Sequence, residues 1–234
     1  MPRPQRVHGS DINLHSAPQM AEYRAAAARI ARAGHRHVLD WGCGRGQMTH
    51  LLRRLGVRVD SIDYDPAADG VVVRPLERYP GLQATLTSDP VRLPYPDGTF
   101  DAVLSMGVLE HVGDPDASLE EIARVARPAG LLYVYKLPNR ASYLEAVARR
   151  IGGYHHGQLP DDRLYTVGSA RALLERHRYE VLEIRRANLL PLTLPGPVAT
   201  ALAPVSWSAN RALAHVPALK LAATNVELIA RVPG

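Results

Sequence analysis

The chain has 234 residues, of which 46% are hydrophobic and 22% charged, and a formal net charge of +5. That balance excludes a disordered or fibrous chain and fits one large domain, or one domain with an elaboration. Only two of the 28 basic residues are lysines, Lys136 and Lys220, and the arginines are scattered, so charge does not argue for nucleic acid. Cys43 is the single cysteine, which excludes an internal disulfide and a cysteine-held zinc ion. The N-terminal MPRPQRVHGSD lacks the apolar run of a secretory signal. Residues 187–210 are uncharged, but Pro191, Pro195, Pro197 and Pro204 argue against a membrane span. The expectation is a cytoplasmic protein.

In chain order, the Ala-rich segment 17–33 predicts a helix ending near Gly34, followed by a short apolar strand over 37–40. Gly42–Gly46 is a turn, 47–55 a helix stopped by Gly56, and 57–63 a second strand. Segment 64–81 is broken by Pro66, Gly70, Pro75, Pro80 and Gly81, which leaves at most a short helix. Strands are expected over 82–87, 100–105, 131–137, 179–186 and 225–232, with helices over 116–126, 141–151 and 169–178. Residues 89–98 and 152–162 read as loops. Alternating strands and helices give an α/β fold, a doubly wound parallel sheet with helices on both faces. Ligands in such sheets bind beyond the carboxyl ends of the strands.

The turns after the strands therefore carry the chemistry. The first is Asp40-Trp41-Gly42-Cys43-Gly44-Arg45-Gly46, whose glycines let the backbone turn sharply before a helix N-terminus. Its third glycine comes one residue too early for the NAD fingerprint. The second turn, Asp63-Tyr64-Asp65-Pro66, ends a strand with a carboxylate suited to ribose hydroxyls. The third runs from Asp89 to Asp101 and leads into Ser105, Met106, Glu110 and His111.

The ordered set VLDWGCGRG, SIDYDP, LPYPDGTFDAVLSMGVLEHV and EIARVARPAGLLYV resembles the class I S-adenosylmethionine (SAM)-dependent methyltransferases, nearest the ubiquinone- and menaquinone-biosynthesis group. The resemblance covers residues 37–137. It implies a Rossmann-like seven-stranded sheet with the last strand antiparallel, and a single domain over 1–234. Residues 17–137 would form the cofactor half and 138–234 the acceptor half. It also implies residue roles. Gly42, Cys43, Gly44 and Gly46 pack under the methionine and ribose of SAM, and Asp40 lies near the methionine amino group. Asp63, with Tyr64 beside it, holds the ribose; Asp89 accepts from the adenine amino group. The backbone at Ser105 and Met106 faces the methionine. Pro90 departs from the pattern, because it has no N–H to offer the adenine ring.

Methyl transfer from a sulfonium needs alignment, and a base only if the acceptor must lose a proton. The candidate base is His111; His155 and His156, near Asp161 and Asp162, are the further catalytic candidates. In the ubiquinone-type enzymes the pair matching Glu110-His111 is metal-linked and follows another Glu three residues earlier. Gly107 stands there, so the expectation is no metal. Residues 187–221 are an apolar C-terminal elaboration: a lid, a homodimer contact or a peripheral membrane surface. The reading is transfer of a methyl group from SAM to a small, apolar acceptor, most readily on oxygen. C- or N-methylation and a non-catalytic SAM-binding regulator or assembly protein stay open as alternatives.

Overall fold

The computed structural model describes residues 17–152, 156, 159–190, 205–206, 208–210, 212–213 and 216–234. Its elements are α1 (Ala17–Arg32), β1 (His37–Trp41), α2 (Gln47–Arg54), β2 (Arg58–Tyr64), β3 (Val71–Pro75), β4 (Gln83–Thr87), β5 (Phe100–Met106), α3 (Pro115–Val125), β6 (Ala126–Pro138), α4 (Tyr143–Ile151), α5 (Val167–Arg176), β7 (Glu180–Ala187), α6 (Pro217–Lys220) and β8 (Asn225–Arg231). The strands form one sheet in the order β3-β4-β2-β1-β5-β6-β8-β7. Strands β4, β2, β1, β5 and β6 run parallel. The last strand, β8, is antiparallel to both β6 and β7.

Successive side chains of the central strands point to opposite faces, and each face has its own core. Leu39, Trp41, Val103, Leu132 and Val134 pack against Leu119, Ile122 and Leu174 of α3 and α5. Val38, Val59, Ala102, Leu104 and Tyr133 pack against Tyr23, Ala27 and Ile30 of α1 and Leu52 of α2. Every residue of β1 is buried, as a central parallel strand requires. Helix starts follow local chemistry. The Asp114 carboxylate caps α3, with Pro115 at its first turn; Ser142 caps α4, and Thr166 forms a capping box with Ser169 at α5.

The sheet has eight strands, not seven. The addition is β3, in the segment expected to hold at most a short helix. Val71–Val73 are β-branched, and the segment pairs antiparallel with β4 at the edge of the sheet. At an edge, Pro75 costs no ladder bond on its open side. Strand β6 also starts earlier than expected. Ala126 pairs with Phe100, the register then shifts, and pairing resumes at Leu131 with Ala102.

The strand order reverses on either side of β1, between β2 and β5, which opens a crevice at the carboxyl ends of β1 and β5. The connection between β7 and β8 leaves Ala187 and returns at Asn225, two residues that pair with each other. Asn225 also pairs with Pro138 at the carboxyl end of β6, so both ends of this connection lie at the carboxyl edge of the parallel strands.

Candidate active site

The glycine turn at the carboxyl end of β1 is tied to β2. The N–H groups of Gly42 and Cys43 both donate to the Ile62 carbonyl, at 2.9 and 3.0 Å, and Gly46 N–H donates to the Cys43 carbonyl at 2.9 Å. Gly42, Gly44 and Gly46 have φ of 69°, 53° and 81°. Two of them also lack room. A Cβ at Gly42 would stand 2.4 Å from Val108 Cγ2, and one at Gly46 would stand 2.3 Å from Leu76 Cδ1. Gly44 differs: its missing Cβ faces open space, the side from which a ligand can approach the backbone. Cys43 is buried beneath the turn, and burial pushes its thiol up, away from the reactive thiolate.

Asp63 ends β2 beside this turn. Its Oδ2 accepts the Gly44 N–H at 2.9 Å and its Oδ1 the Tyr64 N–H at 2.9 Å. Burial raises its pKa, while these two bonds oppose the rise. Each oxygen keeps a further lone pair for a ribose hydroxyl. The Tyr64 side chain is exposed at the rim. Asp40 lies deeper. Thr49 Oγ1 donates to its Oδ2 at 2.6 Å and pairs with Ser61 Oγ at 2.7 Å. Burial raises the Asp40 pKa to about 6, against the Thr49 bond.

Asp89 follows β4 on an exposed turn. Its Oδ1 accepts the N–H groups of Val91 and Arg92 at 2.9 and 2.7 Å, and these bonds hold its carboxyl below the usual range. The N–H that Pro90 cannot supply is thus not replaced by its neighbours, whose N–H groups turn toward Asp89 itself. Ser105 and Met106 end β5 against the crevice. Ser105 is buried and its Oγ has no hydrogen-bond partner among the described residues. Gly107 follows, with φ of 71°, and donates to the Tyr135 carbonyl.

Beyond β5 the chain gathers a second group. Glu110 is buried, and burial raises its pKa to about 7. His111 Nδ1 lies 2.8 Å from Asp162 Oδ1, and its Nε2 is 3.9 Å from Glu110 Oε1. His156 Nδ1 lies 2.6 Å from Glu145 Oε1. Burial works against a charged His156 ring, yet its bond to Glu145 and the charges of Glu145, Glu110 and Asp162 together outweigh that, and the pKa is raised. The two rings stack with centroids 5.7 Å apart. The structure therefore brings His111 and His156 together; His155 lies outside the described residues. A cavity of about 400 Å³ opens here, lined by His156, Asp162, Arg140, Arg149 and Leu164. A larger hollow of about 670 Å³ lies elsewhere, between α1 and β7.

Sequence reasoning missed Glu145, and it expected Lys136, with Asn139, only as a strand end lining the acceptor pocket. Glu145 sits on α4, where Ser142-x-x-Glu145 reads as a helix start. Lys136 stands at a register shift in β6 with φ of 66°, its Nζ 3.9 Å from Glu22 Oε2 and 5.1 Å from the Tyr23 ring centre. No local pattern joins α1 to this end of β6. Among the described residues no helix is long and apolar enough to cross a membrane.

A family model described as a methyltransferase domain matches residues 39–134. A probable S-adenosylmethionine-dependent methyltransferase of Mycobacterium tuberculosis is 34% identical over 133 residues, 57% of this chain and 47% of the relative. A ubiquinone biosynthesis O-methyltransferase of Xanthomonas oryzae is 38% identical over 147 residues, 60% of this chain and 58% of the relative. The chain spans about half the length of the curated relatives it matches. Among solved structures, a Burkholderia thailandensis 1,6-didemethyltoxoflavin-N1-methyltransferase with bound S-adenosylhomocysteine is similar in fold. Its TM-score is 0.60 at 20% identity, over 97% of this chain and 83% of that one. The matched segment runs from β1 through β6 and contains the glycine turn, Asp63, Asp89 and the end of β5. Residues 39–134 match that methyltransferase-domain model, and the chain shares the fold of the solved S-adenosylmethionine-dependent methyltransferases.

Proposed function

We propose that the protein is an enzyme that transfers the methyl group of SAM to a hydroxyl oxygen of a small, largely apolar acceptor. The glycine turn, Asp40, Asp63 and Asp89 hold the donor, with its sulfonium toward the end of β5. The observation that carries the oxygen assignment is the group formed by Glu110, His111 and His156 beside that end. An amine attacks with its own lone pair, whereas a hydroxyl must give up its proton, and this group is where it does so. The reaction is an in-line displacement: the acceptor oxygen bonds to the methyl carbon, and the carbon–sulfur pair returns to sulfur, leaving S-adenosylhomocysteine. The hydroxyl proton passes to the His111 imidazole, the base of that group. The β7–β8 connection forms one wall of the acceptor site. Its described part exposes Val205, Val216, Leu219 and Leu221, which suit an apolar body and exclude water.

The test is turnover with SAM carrying a ¹³C methyl, across a panel of phenols, aliphatic alcohols, amines and activated carbon acids. The expected product carries an O-methyl resonance, and His111→Ala lowers its rate by about 10²–10⁴. Methyl label on nitrogen or carbon alone overturns the oxygen assignment. Binding of S-adenosylhomocysteine with no product from any acceptor supports a non-catalytic role instead.

A further inference from the structure

The carboxyl end of β6 departs from a regular strand at one residue. Leu132 and Val134 pack into the core under α3 and α5, and Tyr133 and Tyr135 pack on the α1 side. Strict alternation would send Lys136 to the side of α3 and α5. Instead the ladder with β8 shifts register between Val134 and Leu137, Lys136 takes φ of 66°, and Leu137 joins the core under α3 and α5. Lys136 thereby reaches α1, with its Nζ 3.9 Å from Glu22 Oε2 and 5.1 Å from the centre of the Tyr23 ring. A lysine at positive φ is strained, and a bulge re-aims a side chain at the expense of a ladder bond.

The re-aimed side chain starts beside the end of β5. Gly107 closes that strand and has no side chain; a Cβ on it would stand 3.5 Å from Glu110 Oε1 and 4.0 Å from Lys136 Cβ. His111 follows Glu110, with its Nε2 3.9 Å from Glu110 Oε1. An ammonium and an imidazole are thus brought to the same end of β5 and β6. Tying α1 to the sheet does not account for the ammonium. Glu22 is beyond hydrogen-bond distance of it, and the Asn188 side-chain amide already holds Glu22 Oε1, which joins α1 to the end of β7. The Lys136 side chain also keeps 20% of its surface exposed. An ammonium has three N–H donors, so Glu22 and Tyr23 leave at least one for a ligand. Burial works against its charge, but Tyr23, Glu22 and Glu110 outweigh that and the pKa is raised, so Lys136 stays an ammonium at neutral pH.

We propose that Lys136 is a further catalytic residue, whose ammonium donates a hydrogen bond to the acceptor oxygen and stabilises the anion formed when His111 takes the hydroxyl proton. This inference rests on the proposed transfer to a hydroxyl and deepens it. The O–H bond breaks toward His111, the oxygen bonds to the methyl carbon, and the carbon–sulfur pair returns to sulfur; the ammonium keeps its own protons throughout. A fixed cation at the oxygen favours acceptors that carry negative charge there, phenols above aliphatic alcohols. Glu22 and Tyr23 act as positioning residues that aim the ammonium.

The test reads the ionisation of a bound phenol without methyl transfer, so it stands or falls apart from the oxygen assignment. The full chain with S-adenosylhomocysteine is mixed with para-nitrophenol, whose phenolate absorbs in the visible, and the absorption is followed across pH. The bound phenol is expected to ionise at lower pH than the free one, its ionisation favoured by about tenfold or more. Lys136→Met removes that advantage and Lys136→Arg keeps part of it, while S-adenosylhomocysteine binds both variants, which shows that they fold. With a hydroxyl acceptor that turns over, Lys136→Met lowers kcat by about 10²–10³, the effect of losing one donor to a developing oxyanion. A lysine that only ties α1 to the sheet lowers the melting temperature and leaves the phenolate absorption and kcat unchanged. That result overturns the proposal, as does a parent chain that does not favour the bound phenolate. If the phenolate is favoured and the methyl label appears on nitrogen alone, the oxyanion site stands and the hydroxyl acceptor falls.

Discussion

Asp40 makes the donor site sensitive to pH in a way that can be calculated. Its carboxyl is buried, and the protein's free form holds it at about 6 against an ordinary value of 3.8. Burial is the chief cause: the charge loses water, and the Thr49 hydroxyl and backbone only partly make up for it. For a carboxyl whose folded pKa is raised, ionisation destabilises the folded state. The free protein thus gains stability from this group as pH falls from about 6 toward about 4, by on the order of 1–3 kcal/mol. The methionine ammonium of SAM acts in the opposite sense, because a cation nearby favours the charged carboxylate. Binding to the ionised form alone weakens about tenfold at pH 5 relative to pH 7.5, since about one Asp40 in eleven is ionised at pH 5. Calorimetry with S-adenosylhomocysteine across that range, in buffers of different ionisation enthalpy, should show this fall and about one proton released per ligand at pH 5. Asp40→Asn keeps an oxygen for the Thr49 hydroxyl and removes the charge. It should melt higher than the parent at neutral pH, bind the ligand more weakly, and bind it equally at both pH values. Affinity of the parent that is flat from pH 5 to 7.5 would refute the reasoning.

Other consequences follow from the same geometry. Gly42→Ala meets Val108 Cγ2 at 2.4 Å as well as the strain of its positive φ, whereas Gly44→Ala meets nothing. Thermal unfolding should show a cost of about 2–4 kcal/mol for the first and about 1 kcal/mol for the second. Both should impair ligand binding, since Gly44 faces the open side of the turn. Asp63→Ala frees the Gly44 and Tyr64 N–H groups and removes the ribose acceptor, weakening S-adenosylhomocysteine by about 1.5–3 kcal/mol in calorimetry. Arg124 joins Glu121, Asp97 and the carbonyls of Leu93 and Tyr95. Arg124→Ala leaves the buried Glu121 carboxylate with only the exposed Arg92 at 3.6 Å and the Leu93 N–H, and should cost about 1–3 kcal/mol in denaturant unfolding, with the loop after Asp89 loosened. Deletion of residues 190–217 should keep S-adenosylhomocysteine binding and abolish methyl transfer; unchanged turnover would remove that segment from the acceptor wall.

The donor side was legible because its parts are contiguous. Gly42, Gly44 and Gly46 share one turn, and Asp63 follows its own strand directly, so pattern and position agree before any packing is known. Even there the reason for two glycines was hidden: Leu76 and Val108, which exclude a Cβ, lie on other segments. The strand Val71–Pro75 escaped notice for a different reason. Its residues are exposed apart from one intermediate position, so no alternation marks a buried face, and its breakers Gly70 and Pro75 only bound it. Hydrophobic period reports burial, and an edge strand with little burial gives little period.

The acceptor side shows what contiguity cannot reach. His111 stood out as a candidate by its place after β5, but its meaning depends on Asp162, and that of His156 depends on Glu145. Read along the chain, nothing joins His156 to Glu110 and His111, yet in three dimensions the three side chains stand together. Such a group is a statement about distances between side chains, and only the residues that share a turn have those distances fixed by sequence spacing. The cofactor cradle, built on adjacent turns at the ends of β1 and β2, meets that condition; the acceptor group, assembled from a turn, a helix and a loop, does not. That division matches the chemistry, since one donor serves many acceptors and the variable half of the fold is where acceptor choice can change without disturbing the donor.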